Sequence, residues 1–374
     1  DFSLSSGAMM LGHANDIFQK TLKKQIKFGS NYCSNNFNKV EYEIFLKKTF
    51  NEMSKFEFSN SGSEANIRAL RLSRAISNKN TFAMVNGSWH GSLDEFMFDY
   101  KQNKSIKPNQ LNELSLGIGS AKKNLIMLPY NNIKLSKKIL DKNYKKIGVI
   151  VVEPIQCGTP HKDSIKYLNF LQIYCKSKKI LLWFDEIITG MRVKKLSIFK
   201  KYNLKPDIVT FAKCFGGGVP IGITCYTSKV ERKLKKLKKS VFFGGTFSGN
   251  PISTKLGLEV LKYVKKNQIK INNYINNLAY ILEDDINSFC YINKIKFRLQ
   301  RYESLLRPVF TDKPIMNKFD RNKYDLNFKK TIKLKNYLLS KKIFLSGNAC
   351  FFISYCHTEK NIYDLIAIIK KYLK

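Results

Sequence analysis

The chain has no run approaching the roughly 20 unbroken apolar residues that a membrane helix needs, and no signal-peptide pattern opens it. These absences exclude an ordinary membrane-spanning helix and point to a cytoplasmic location. Histidine is scarce. His13, His90, His161 and His357 are the only four, far apart in sequence, so no metal site is expected. The eight cysteines (Cys33, Cys157, Cys175, Cys214, Cys225, Cys290, Cys350 and Cys356) include no CxxC pair. Several lie in apolar runs, and they read as reduced, mostly buried thiols. Acid is also short, with 28 Asp and Glu against 66 Lys and Arg, for a formal net charge of +38. Such an excess raises a nucleic acid or an anionic membrane as partners. The lysines are scattered among Asn and Ile, however, and no aromatic-interleaved basic stripe or nucleic-acid motif is present. A solvated lysine surface is the simpler reading. Internal repeats and low-complexity linkers are lacking too.

What is present suffices for a large core. A chain of 374 residues with 44% hydrophobic content can bury one large domain and a smaller satellite. Between about residues 56 and 230, short apolar runs alternate with helical patterns, which predicts an α/β domain with a mainly parallel sheet. The runs are 81–85, 147–152, 180–184 and 207–211; they do not alternate polar with apolar, as strands covered on both faces do not. Ile362, Leu365, Ile366, Ile369 and Leu373 form one stripe at helical spacing and predict a closing helix. The region from about 265 onward mixes helices with short strands. The chain opens on Asp1 rather than Met, and residues 1–45 are read as an N-terminal segment from which preceding sequence is missing.

Polar residues fall just past the ends of the apolar runs, where open α/β sheets bind ligands. Asn60-Ser61-Gly62-Ser63-Glu64-Ala65 runs into a helical pattern, which places Gly62 and Ser63 at a helix N-terminus suited to a phosphate. An ordinary serine cap with Glu in the first turn explains the same residues. Asp185 follows a buried run, and a carboxylate there needs a partner. A cationic pyridine nitrogen is one candidate, and a structural salt bridge or helix cap is the other. Lys213 ends a run and precedes Gly216-Gly217-Gly218, so a backbone can approach a ligand closely beside an amine made nucleophilic by desolvation. In so lysine-rich a chain, only the glycines single it out.

Taken in order, the Asn60–Ala65 motif, Trp89-His90-Gly91, Glu153-Pro154, Phe184-Asp185-Glu186, Lys213 with Gly216-Gly217-Gly218-Val219-Pro220, and Gly245-Thr246-Phe247-Ser248-Gly249-Asn250-Pro251 resemble the class-III aminotransferases. Within that family they look most like the glutamate-1-semialdehyde aminomutases and their transaminase relatives. Met10-Leu11-Gly12-His13 and His357-Thr358-Glu359 match as well, so the resemblance spans essentially the whole chain.

The resemblance implies the type I fold of pyridoxal-phosphate enzymes, with a large domain over 46–264 built on a mainly parallel seven-stranded sheet. A small α+β domain would follow over 265–374. It implies pyridoxal phosphate as cofactor, held by Lys213 as a Schiff base, with Lys213 then moving the proton. Asp185 would pair with the pyridinium nitrogen, Trp89 would stack on the ring, and Gly62 and Ser63 would donate to the phosphate. Gln156 joins this cofactor set. Glu153 and His90 fall on the substrate side, His90 between a supporting and a purely structural role. Thr246 would reach the phosphate of a neighbouring subunit, making the active unit a homodimer. Asn250-Pro251 reads as turn structure. The reaction implied is amino transfer between a small-molecule donor and a carbonyl acceptor.

Two departures bear on the reaction. The chain starts after the point where the aminomutase carries a Ser-Pro-Val-Arg stretch that helps hold the substrate carboxylate, so that segment is either truncated away or was never present. The segment 344–354 is shorter than the aminomutase's and contains no acid. An aminomutase must retain its intermediate, whereas a transaminase releases a keto product. Lacking these anchors, the chain reads as a transaminase, with the aminomutase as the alternative.

Overall fold

A computed structural model describes residues 1–32, 34–101, 110–324, 329–347 and 349–374. Cys33, named above, and Asn348, within the segment 344–354, lie outside them. Twelve strands are described: β1 (Lys55–Ser59), β2 (Thr81–Val85), β3 (Phe98–Tyr100), β4 (Leu111–Glu113), β5 (Leu125–Leu128), β6 (Ile147–Val152), β7 (Leu181–Asp185), β8 (Ile208–Ala212), β9 (Gly222–Tyr226), β10 (Arg298–Tyr302), β11 (Leu305–Val309) and β12 (Phe351–Phe352).

Seven of them form one sheet in the order β1-β9-β8-β7-β6-β2-β5. The inner pairings are parallel, and β9 runs antiparallel to both β1 and β8. The expected sheet is therefore present. The unalternating runs have the expected cause: in β6, Ile150 and Val152 enter one apolar cluster while Val149 and Val151 enter another on the opposite face. Two runs sit one residue later than the sequence suggests, at 181–185 and 208–212. Asp185 is consequently the last residue of β7, and Lys213 lies one step beyond β8.

β10, β11 and β12 make a second, antiparallel sheet. The long helix Gln268–Ile292 and the closing helix Glu359–Leu373 cover it, with Leu306, Phe351, Ile286 and Ile362 in one cluster. Four of the five stripe residues of the closing helix are buried; Leu373, its last residue, is partly exposed. The N-terminal segment is fastened to this sheet. Phe2 exchanges backbone hydrogen bonds with Phe344 (3.0 Å) and Phe352 (2.9 Å), and Tyr355 N donates to Met10 O (2.9 Å). Two motifs from opposite ends of the sequence thus meet in space.

Candidate active site

The parallel order brings the ends of β6, β7 and β8 to one edge of the sheet, where a cavity of about 420 Å³ opens. It is lined by Gly62, Ser63, Trp89, Glu153, Asp185 and Lys213, together with Ser5, Ala8 and Met9 of the N-terminal segment.

The helix Gly62–Ser77 begins here because Ser61 caps it: Ser61 Oγ accepts from Glu64 N at 3.1 Å, and the Glu64 carboxylate accepts from Asn60 N at 3.0 Å. The serine cap is present, and it does not use up the free amides of the first turn. The cap consumes the third amide, while helix geometry leaves the Gly62 and Ser63 N–H groups, at the positive end of the dipole, without intrahelical acceptors. A side chain at Gly62 would strike Ile187, whose Cδ1 lies 2.7 Å from the position of a Cβ. Glycine therefore lets the helix end approach Ile187, which also lines the cavity.

Asp185 is 2% exposed. Its Oδ2 accepts from His90 Nδ1 at 2.7 Å and Asn66 Nδ2 at 2.8 Å, and its Oδ1 accepts from Ile187 N at 3.1 Å. The buried carboxylate is thus partnered by protein groups that sequence reasoning had named only in part. Asn66 was missed. Its signal was a polar residue on the apolar face of a helix, beside Ala65 and Ala69.

Lys213 is half-buried and adopts a left-handed backbone conformation, φ 49°, a strain of about 1 kcal/mol for a residue with a Cβ. Desolvation lowers the pKa of its ammonium, an effect opposed by Cys157, Glu153 and Asp185 nearby. Behind it, Gly217 (φ 64°) and Gly218 (φ 118°) turn the chain, and a Cβ on Gly218 would crowd Met9 and Phe18.

Glu153 is 3% exposed and receives backbone N–H bonds from Trp89 (3.3 Å) and Cys157 (3.4 Å). Burial, with Asp185 close by, pushes its carboxyl up to about 8. Trp89 stands at the cavity mouth, 56% exposed. Gln156 is not among the residues lining the cavity. It is fully buried and braces the loop that carries Trp89, donating to Asn86 O at 2.8 Å and Ser88 Oγ at 3.0 Å. Glu186 is structural in its contacts, accepting from Ile198 N, Phe199 N and Thr189 Oγ1. Asn250 caps the helix Pro251–Lys266, so that dipeptide starts a helix rather than forming a turn alone.

Thr246 is not brought to the Lys213 cavity. It lines a separate cleft of about 480 Å³ with Asn35, Lys39 and Glu57, between exposed Phe242 and Phe247. Arg68 ties this loop to the cofactor-side helix, donating to Gly244 O at 2.9 Å and Ser248 Oγ at 3.0 Å.

Residues 1–290 match the family model described as Aminotransferase class-III. A glutamate-1-semialdehyde 2,1-aminomutase of Methanocaldococcus jannaschii is 32% identical over 372 residues, covering 96% of this chain and 83% of that protein. An omega-transaminase from Sphaerobacter thermophilus superposes with a TM-score of 0.88 at 19% identity, covering 100% of this chain and 86% of that one. A glutamate-1-semialdehyde aminomutase from Pseudomonas aeruginosa PAO1, in complex with PMP, gives a TM-score of 0.86 at 17% identity, over 99% and 82% of the two chains.

Proposed function

The chain belongs to the class-III aminotransferases, enzymes dependent on pyridoxal phosphate, and from that premise we propose that Lys213 holds the cofactor and that Asp185 faces its ring nitrogen. The observation that carries this reading is the convergence of a desolvated amine, a buried carboxylate and a helix N-terminus on one cavity. The residues present fit the group. The volume lies in the range of small-ligand pockets, and the donor set offers a nucleophile, a partner for a cationic nitrogen and amides for a phosphate.

When bound, the cofactor supplies an electron sink for the carbon that loses its proton. The protein does the rest. Gly62 and Ser63 orient the phosphate, and Asp185 keeps a negative charge where a protonated ring nitrogen needs one. Lys213 would hold the cofactor through Nζ and, once displaced from it by the substrate's amine, would carry a proton as a free amine at Nζ. Trp89 covers one side of the cavity mouth and narrows access for water.

Thr246 enters this account through a second copy of the chain. Its distance from its own Lys213 cavity and the exposed Phe242 and Phe247 beside it support a homodimer in which each loop serves the partner's site. Residues 46–264 are read as the large domain and 265–374 as the small one. The cytoplasm is the proposed location. No helix among the described residues is long and apolar enough to cross a membrane, and the seven described cysteines form no disulfide.

Between the two reactions, the acid-free segment 344–354 favours transamination. The name of the relative from M. jannaschii favours the aminomutase. Purified protein incubated with glutamate-1-semialdehyde, without any amino acceptor, separates them. Formation of 5-aminolevulinate establishes the aminomutase, and a requirement for an added keto acceptor establishes the transaminase.

A further inference from the structure

We infer that Asn66 is a positioning residue that locks the carboxylate of Asp185 toward the ring nitrogen of the cofactor. The inference rests on the cofactor reading above and extends it to a side chain with no chemistry of its own.

The Asn66 amide has two N–H groups, and both are used: Nδ2 donates to Asp185 Oδ2 and to His90 O, each at 2.8 Å. One side chain therefore ties the carboxylate to the backbone of the residue whose ring also grips it. The amide cannot turn over, because Oδ1 would then face a carboxylate and a carbonyl, neither of which has a proton to give. Asp185 is immobilised in turn. Its Oδ2 is held by Asn66 and His90, and its Oδ1 is held by Ile187 N. Rotation of the carboxylate would break all three bonds, so its cavity-facing edge keeps one direction.

The arrangement is costly to the fold, which argues against packing as its purpose. Asn66 is 0% exposed, and its Oδ1 is buried with no partner among the described residues, as is His90 Nε2. Asparagine is also a poor helix former and sits here in the second turn of the helix, among Ala65, Ala69 and Leu70. An apolar residue of similar size would remove the costs of the buried Oδ1 and of the poor helix propensity. A group kept against such a gradient is explained by what it holds in place.

The test compares binding of pyridoxal phosphate with binding of its analogue carrying carbon in place of the ring nitrogen, using the full-length apo-protein. If Asn66 acts through Asp185 on that nitrogen, Asn66→Leu weakens pyridoxal phosphate by about tenfold. The nitrogen-free analogue should change by less than about twofold, because the lost bond never reached it. Equal losses for both ligands, or no loss for either, overturn the inference and make Asn66 merely structural. Asn66→Ser, which retains one donor, serves the same comparison should the leucine variant fail to fold. It should show the same selective loss at smaller size, and an equal loss for both ligands contradicts the inference equally. A wild-type protein that binds neither ligand sinks the cofactor reading itself. One that binds both alike removes only the contact between Asp185 and the ring nitrogen, and with it this inference.

Discussion

His90 Nδ1 lies 2.7 Å from Asp185 Oδ2, with both side chains almost wholly buried. An ionised carboxylate can only accept, so the imidazole donates from Nδ1, and the pair holds a negative charge at the end of β7 in a place where an unpartnered one would be expelled. Replacing the acid tests what that charge does. Asp185→Ala should lower the rate of amino transfer by at least about 10²-fold while leaving the protein folded, as judged by circular dichroism. A variant with nearly wild-type turnover would assign the carboxylate to structure alone.

The helix that presents Gly62 and Ser63 depends on its cap. Ser61→Ala removes the acceptor for Glu64 N and should cost about 1 kcal/mol of stability in urea unfolding of the apo-protein. The same change should weaken cofactor binding only slightly, since the amides assigned to the phosphate come from the backbone.

Glu153 gives the fold a pH dependence. Its carboxyl is pushed up to about 8 in the native state, against an ordinary value of 4.5 in the unfolded chain. Between those values the folded chain holds a proton that the unfolded chain has lost, so stability falls as pH rises from about 4.5 to about 8 and levels off above. Glu186, pushed up to about 7 by burial, acts in the same direction. Thermal unfolding of the apo-protein across this range should show the decline, and Glu153→Gln should make it shallower. An unchanged slope in that variant would mean the carboxyl is ionised throughout.

Thr246 supplies a test of the assembly. Light scattering should give a dimer, and Thr246→Ala should raise the dissociation constant for pyridoxal phosphate by about tenfold without altering the subunit's fold. A monomer with full cofactor affinity would remove Thr246 from the site.

The sheet was legible because its strands are buried on both faces, so that runs such as 147–152 stand out as unbroken apolar segments. The same runs placed Asp185 and Lys213 at strand ends to within one residue. The helix cap at Ser61 was legible from its serine and the glutamate three residues on. Asn66 showed only as a polar residue on the apolar face of its helix, and nothing local says that it aims at a carboxylate 119 residues away. Gln156 illustrates the opposite case. The resemblance placed it with the cofactor, whereas its amide donates to Asn86 O and Ser88 Oγ. The strands β10 to β12 were foreseen only as short strands among helices: β10 and β11 form a local hairpin, but β11 pairs with β12 through residues almost 50 positions apart.

On the proposed function, Lys213 alone binds the cofactor covalently. Borohydride reduction of the pyridoxal-phosphate-loaded protein, followed by denaturation and peptide mass analysis, measures it directly. One modified peptide is expected, the one containing Lys213, with no modification in Lys213→Ala. A label that persists in that variant at comparable yield, or that falls on another of the chain's many lysines in the wild type, would contradict it.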